Sequence, residues 1–311
     1  MIEVQGLTKE YGRFRAVDDL SFRVEPGEVL GFLGPNGAGK TTTMRIVAGF
    51  LPATSGRVLV CGADVATQAV EAKRHIGYLP EGAPSYPEMT PRSFLEFIAE
   101  ARGIPPAQRK QRLDEVFQQL HLDRVLDQSI DTLSKGYRRR VGLAQAIIHD
   151  PDVLILDEPT DGLDPNQKHE VRELIGRMAK SKIIVISTHL LEEVEAVCNR
   201  AIIIARGKIL ADDTPRGLEA RSRFYNAVSL KLADAAQLQA ARNAINSLPE
   251  VASTELDEKN GRITAFPAPG KLPLAPINAL AERQGWALAE LHLESGRLDE
   301  VFRSITGGAT A

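Results

Sequence analysis

The sequence predicts an α/β domain over residues 1–220, followed by a small α+β domain over residues 221–311. Three observations point there. Residues 29–33, 153–156, 183–186 and 201–205 are short, nearly continuous apolar runs, as expected of strands buried on both faces of a parallel sheet. β-Rich runs alternate with amphipathic helical stretches to about residue 215, the pattern of an α/β fold. Between about residues 85 and 150 the strand signal fades, and residues 91–102, 108–120 and 138–149 read as helices. In the last of these, Val141, Ala144 and Ile148 share one face at helical spacing. This stretch reads as a helical insertion within the α/β domain.

The second domain reads as a strand at 224–232, a helix at 235–248 and a hairpin of 251–256 with 262–266. Glu258-Lys259-Asn260-Gly261 supplies a good hairpin turn. A helix at 276–284, a strand at 286–293 and a final helix at 298–305 follow. The order βαββαβ suggests a ferredoxin-like fold. A structural brace is the favoured role for this domain, with a regulatory ligand-binding or dimerisation module as the alternative. Trp286, the only tryptophan, is expected in its core.

Of the 311 residues, 43% are apolar and 25% charged, the mix of a soluble globular chain. The net charge of −3 argues against electrostatic nucleic-acid binding, which shows a basic excess. Arg138-Arg139-Arg140 is a local exception. The two cysteines, Cys61 and Cys198, form no CxxC pair, which suits a reducing compartment without a disulfide framework. Met1-Ile2-Glu3-Val4 lacks the features of a signal peptide. No apolar run approaches the ~20 residues of a bilayer span, so the chain is not expected to cross a membrane by itself.

Gly34-Pro35-Asn36-Gly37-Ala38-Gly39-Lys40-Thr41 fits GxxxxGK[ST] between a strand and a helix at 42–48, the context that confirms a phosphate-binding loop. Glycines let backbone N–H groups converge on a polyanion, and the helix N-terminus adds partial positive charge. Lys40 is placed to reach the β- and γ-phosphates, Thr41 to ligate Mg²⁺, and Thr42 to line the same site.

The strand at 153–156 runs directly into Asp157-Glu158-Pro159. Two acids at the end of an apolar strand need a reason, because buried unpaired charge is costly. Asp157 fits a Mg²⁺-holding acid, and Glu158 is placed to orient or deprotonate an attacking water. An exposed strand end is the plain alternative, weakened by the nearby phosphate loop. Asp164 before Pro165 reads as a helix N-cap, and also as a subunit contact beside the nucleotide. His189 follows the strand at 183–186, at the sheet edge where α/β folds place ligands, a structural histidine being the plain alternative.

Leu133-Ser134-Lys135-Gly136-Tyr137-Arg138-Arg139-Arg140 lies about 20 residues before the carboxylate strand. It resembles the LSGGQ signature of ATP-binding cassette (ABC) ATPases, and residues 1–215 carry that family's motifs in family order. Ser134 reads as an N-cap that leaves helix N–H groups free for an anion. The resemblance implies a P-loop NTPase cassette that uses ATP and Mg²⁺. Ser134, Gly136 and the Asp164 loop would then face a nucleotide held by a second cassette, a homodimer being the simplest case. It further implies that Tyr11 stacks on adenine, an edge-strand or core role being the alternative. Glu81, in Gly77-Tyr78-Leu79-Pro80-Glu81, is implied to ligate Mg²⁺ or water, and His189 to be the switch histidine. The sequence departs from the pattern at Glu81, where glutamine is usual, and at Lys135 and Tyr137, which replace glycine and glutamine. Those signature variants, and the tail from Leu298 to Gly307, resemble single-cassette exporters of drugs, polysaccharides and antibiotics and gliding-motility relatives.

The expected function is therefore the ATPase subunit of an ABC transporter, on the cytoplasmic face of the membrane, working through a separate permease. A soluble non-transport ABC ATPase is the alternative. It is disfavoured because the chain has one cassette and neither coiled coil nor zinc module. Motion is expected to pass from Glu81 through residues 83–86 to a groove near Phe94 and Phe97. The i, i+3 spacing of those phenylalanines suits core packing equally well.

Overall fold

The computed structural model describes residues 1–83 and 85–307. The chain falls into two compact units, the first holding Met1–Pro215 with the end of the final helix from Thr306, and the second Arg216–Ile305. In the first, β1 (Ile2–Tyr11), β2 (Phe14–Val24), β3 (Val29–Leu33), α1 (Lys40–Val47), β4 (Ser55–Val60), β5 (Ala63–Asp64), α2 (Ala69–Arg74) and β6 (Ile76–Leu79) come first. The helical stretch follows as α3 (Pro91–Ala101), α4 (Pro106–Gln119) and α5 (Lys135–Ile147). Then β7 (Val153–Asp157), α6 (Pro165–Ala179), β8 (Ile183–Thr188), α7 (Leu191–Val197), β9 (Arg200–Ala205) and β10 (Lys208–Asp213) close the unit, with α8 (Pro215–Glu219) at its border.

The central sheet runs β10-β9-β3-β8-β7-β6. Its strands are parallel except β10, which pairs antiparallel with β9. Strand alternation explains why its sequences are apolar throughout. Leu154 and Leu156 of β7 join a core with α3, α4, α5 and α6, whereas Val153 and Ile155 join the core on the opposite face. That opposite core also holds α1 and the antiparallel sheet β2-β1-β4-β5. The antiparallel sheet alternates buried and exposed positions, as in β2, and so gives a weaker apolar signal. Phe94 is buried in the helical core, whereas Phe97 and Tyr86 are exposed and stack edge-on. Pro84, within the stretch 83–86, lies outside the described residues.

Helix ends follow local chemistry. Thr90 caps α3 in a reciprocal pair with Ser93, ahead of Pro91. Ser134 Oγ accepts from the Tyr137 N–H and starts α5 three residues earlier than its apolar periodicity suggests. Likewise α1 begins at Lys40, two residues before the expected start. Cys61 and Cys198 are free thiols.

The second unit contains β11 (Val228–Leu232), α9 (Leu238–Asn246), β12 (Val251–Asp257), β13 (Arg262–Pro267), α10 (Leu274–Gln284), β14 (Leu288–Leu293) and α11 (Leu298–Gly307). Its sheet order is β12-β13-β11-β14, with every neighbouring pair antiparallel. This is the split βαββαβ arrangement. Helices α9 and α10 share one core with the sheet, and Trp286 packs partly buried against it. The first strand starts at Val228 instead of residue 224. Tyr225 closes a turn onto Ser222, and Asn226 adopts φ 62°, which no strand accommodates. Phe224 is buried by stacking on Phe266, so its apolar character reflects packing without strand structure.

Candidate active site

Strand β3 delivers the glycine-rich loop to the carboxyl edge of the central sheet. Gly39 has φ 104°, a conformation that costs glycine little, and a Cβ there would run into the Ala16 carbonyl. Lys40 opens α1, and its Nζ donates to the carbonyls of Gly34 at 2.7 Å and Pro35 at 3.2 Å. Burial lowers the Lys40 pKa against the pull of Glu158, Asp157 and Glu81. Those three acids therefore lie close enough to act on one buried ammonium.

A cavity of about 390 Å³ opens over this loop, lined by Asn36 to Thr42, Tyr11, Phe14, Ala16, Glu81 and Glu158. Tyr11 and Phe14 face each other across the β1–β2 hairpin and both are exposed. Gly34 and Pro35 lie behind the lining and hold Lys40 through their carbonyls.

Asp157 ends β7 in register with Ser187 of β8. It is fully buried, and neither carboxylate oxygen meets hydrogen-bond geometry with a protein donor, although the Ser187 and Thr41 hydroxyls lie close by. Burial raises its pKa, against the opposing pull of the Ser187 and Thr41 hydroxyls. Glu158 follows with φ 52°, a left-handed conformation costing a non-glycine residue about 1–2 kcal/mol. Its N–H donates to the Ser187 carbonyl at 2.8 Å, which helps to hold the turn. The side chain lies 2.9 Å from His189 Nδ1 through Oε1. Sequence-distant Glu158, which lines the cavity, and His189, which does not, thus form one hydrogen-bonded unit.

Ser134, Gly136 and Asp164 do not line this cavity. Ser134 and Asp164 are exposed N-caps of α5 and α6. Gly136 is buried, and a Cβ on it would collide with the Gln167 side chain.

An ABC transporter family model matches residues 17–161. The linearmycin resistance ATP-binding protein LnrL of Bacillus subtilis (strain 168) is 32% identical over 308 residues, covering 99% of this chain and 98% of its own. The chain belongs to the ABC transporter family. It is an ATP-binding, ATP-hydrolysing subunit of such a transporter. The Nod factor export ATP-binding protein I of Paraburkholderia xenovorans (strain LB400) is 39% identical over 218 residues, 70% of this cassette protein and 72% of its own length. A solved ATP-binding subunit of an ABC transporter, 30% identical, superposes with a TM-score of 0.67 over 71% of this chain and 92% of its own. A dimeric ATP-binding cassette in a post-hydrolysis state, bound to ADP and Pi, shares the fold at a TM-score of 0.65 and 22% identity. It covers 70% of this chain and 100% of its own.

Two features of the cassette site escape sequence reasoning. Phe14 stands beside Tyr11 because Gly12 and Arg13 make the tight hairpin turn; an aromatic just past a glycine turn was the available signal. Arg139 lies buried in α5 and donates to backbone carbonyls on two separate loops. Backbone acceptors leave no residue-type signature, so nothing in the sequence marks them.

Proposed function

We propose that the cassette hydrolyses Mg²⁺-ATP in a sandwich of two copies and drives export through a separate membrane subunit. The observation that carries this reading is the split of the site. The phosphate loop, Glu81 and Glu158 share one cavity, whereas Ser134 and Asp164 point to solvent outside it. A second copy in head-to-tail arrangement would bring its Ser134 end to the nucleotide, with helix N–H groups toward the γ-phosphate.

Asp157 supports the metal assignment. A fully buried carboxylate with two unpartnered oxygens beside a threonine hydroxyl is the donor chemistry a hard cation takes. Thr41, Asp157 and Glu81 would hold Mg²⁺, which when bound neutralises phosphate charge. Lys40 binds the phosphates. Tyr11, with Phe14 beside it, receives the adenine face. Glu158 takes the proton of the attacking water at one carboxylate oxygen. His189, 2.9 Å from the other, keeps that carboxylate oriented and offers its free edge to the γ-phosphate.

Among the described residues no helix is long and apolar enough to cross a membrane. A permease at the cytoplasmic face supplies the path, and the exposed Tyr86 and Phe97 suit the docking of its cytosolic helix. The names of relatives that act in Nod factor export and linearmycin resistance favour export.

The Glu158→Gln variant tests the sandwich. With Mg²⁺ and ATP it should sediment as a dimer, and adding Ser134→Arg should return it to monomer. A Glu158→Gln protein that stays monomeric at saturating ATP contradicts the sandwich. Co-purification of an integral membrane protein from solubilised membranes tests the permease.

A further inference from the structure

Arg139 sits in α5, five residues beyond Ser134, and is 6% exposed. Among the described residues no carboxylate is in ion-pair contact with it. Its guanidinium instead donates to four backbone carbonyls. Nε reaches Pro159 O at 3.1 Å and Nη1 reaches Pro80 O at 3.3 Å. Nη2 donates to the carbonyls of Asp157 and Glu158. Burial lowers its pKa, against the pull of Asp161, Asp157, Glu158 and Glu81. A buried cation without a paired anion is costly, and only a planar fork with five donors can satisfy carbonyls on two loops at once.

The bonded loops are the ones that carry chemistry. The carbonyls of Asp157, Glu158 and Pro159 belong to the turn that aims both β7 carboxylates. The Pro80 carbonyl immediately precedes Glu81. One guanidinium therefore pins the backbone behind all three acids around Lys40.

A second tie lies one turn earlier on the same helix. Lys135 Nζ is 2.9 Å from Asp161 Oδ2, and a Cβ on Gly162 would run into the Lys135 side chain. The pair is exposed and contributes little energy. It sets register: Lys135, which replaces a glycine of the family signature, fits only because Asp161-Gly162 leaves it room.

We propose that Arg139 is a positioning residue for hydrolysis. It joins the Ser134 end of α5 to the carboxylate turn as one rigid body, so that the seating of α5 sets the alignment of the subunit's own Glu158. That α5 is seated by a second copy's nucleotide rests on the sandwich proposed above. That Arg139 aligns Glu158 does not.

The test uses the full chain carrying Arg139→Gln or Arg139→Lys, with binding of a fluorescent ATP analogue, steady-state hydrolysis and thermal melting measured together. Arg139 touches neither the phosphate loop nor the cavity. Nucleotide affinity and KM should therefore stay within about threefold, while kcat falls about tenfold or more in Arg139→Gln, the pattern of a lost transition-state interaction. Arg139→Lys keeps the charge but cannot span both loops, so its kcat should fall about threefold or more with KM unchanged. Wild-type kcat in either folded variant overturns the proposal, as does a KM that rises in step with the loss of kcat. If Arg139→Gln does not fold, the lysine variant decides alone. In the Glu158→Gln background, Arg139→Gln should still associate with ATP. Failure of Glu158→Gln itself to associate removes the sandwich and leaves the kcat test intact.

Discussion

Replacing Asp157 by asparagine should make the nucleotide-free protein more stable and the enzyme inactive. Asp157 is fully buried with both oxygens unpartnered, and an unsatisfied buried polar group costs about 1–3 kcal/mol, more when charged. Asparagine keeps the shape and removes the charge. Its amide can donate to the adjacent Ser187 hydroxyl, which itself lacks a partner. For a domain of this size each kcal/mol moves Tm by about 2–4 °C, so Asp157→Asn should melt about 2–12 °C higher without nucleotide. The sign with pH follows from the raised pKa. The folded state holds the Asp157 proton more tightly than the unfolded chain does. The wild type therefore carries no penalty below the ordinary aspartate range and loses stability as pH rises from there through the elevated folded value. The advantage of the variant should grow as pH rises from the ordinary aspartate range through the elevated folded value, and vanish in acid. With Mg²⁺ and ATP the order should reverse, because only the wild type gains ligand stabilisation at that carboxylate. Differential scanning calorimetry between pH 4 and 8, with and without Mg²⁺-ATP, reads each of these. A nucleotide-free Asp157→Asn protein that melts at or below the wild type at neutral pH would refute the view that burial of this carboxylate outweighs the help of its neighbours.

Other substitutions separate the remaining roles. Lys40→Ala removes the buried ammonium beneath the loop and should weaken ATP binding about 100-fold, as expected for lost charge-assisted hydrogen bonds; calorimetric titration would detect it. Tyr11→Ala and Phe14→Ala should each weaken adenine nucleotides while leaving inorganic triphosphate unaffected, base–aromatic stacking being worth about 1–3 kcal/mol. Equal effects on ATP and triphosphate would exclude stacking. Glu81→Gln should remain an active ATPase, because glutamine keeps an oxygen at the cavity edge and removes a charge that opposes ionisation of Asp157. Complete loss of turnover in that variant would show that Glu81 needs its charge.

Much of the site was legible because its chemistry is local. The phosphate loop is one contiguous stretch whose glycines serve its backbone, and Asp157-Glu158 stands out as acid at the end of an apolar strand. Ser134 and Asp164 were legible as caps, because a cap acts on N–H groups three residues away. The succession of strands and helices along the second unit also followed from local signals, their alternation and one turn at 258–261, whereas the strand order in its sheet came only from the structure. Its first strand was misplaced by four residues, because Phe224 is apolar for a ring contact with Phe266, 42 positions later.

Chain order alone singled out the residues proposed to bind phosphate, and tertiary folding specified how the acids are held. No spacing rule connects Glu158 to His189, Phe14 to the loop after β3, or Lys135 to Asp161. These contacts form only when separate strands and helices reach the same edge of the central sheet. Arg139 is the extreme case. Its partners are main-chain carbonyls, which every residue carries, so residue identities can announce a buried guanidinium's presence but never its target.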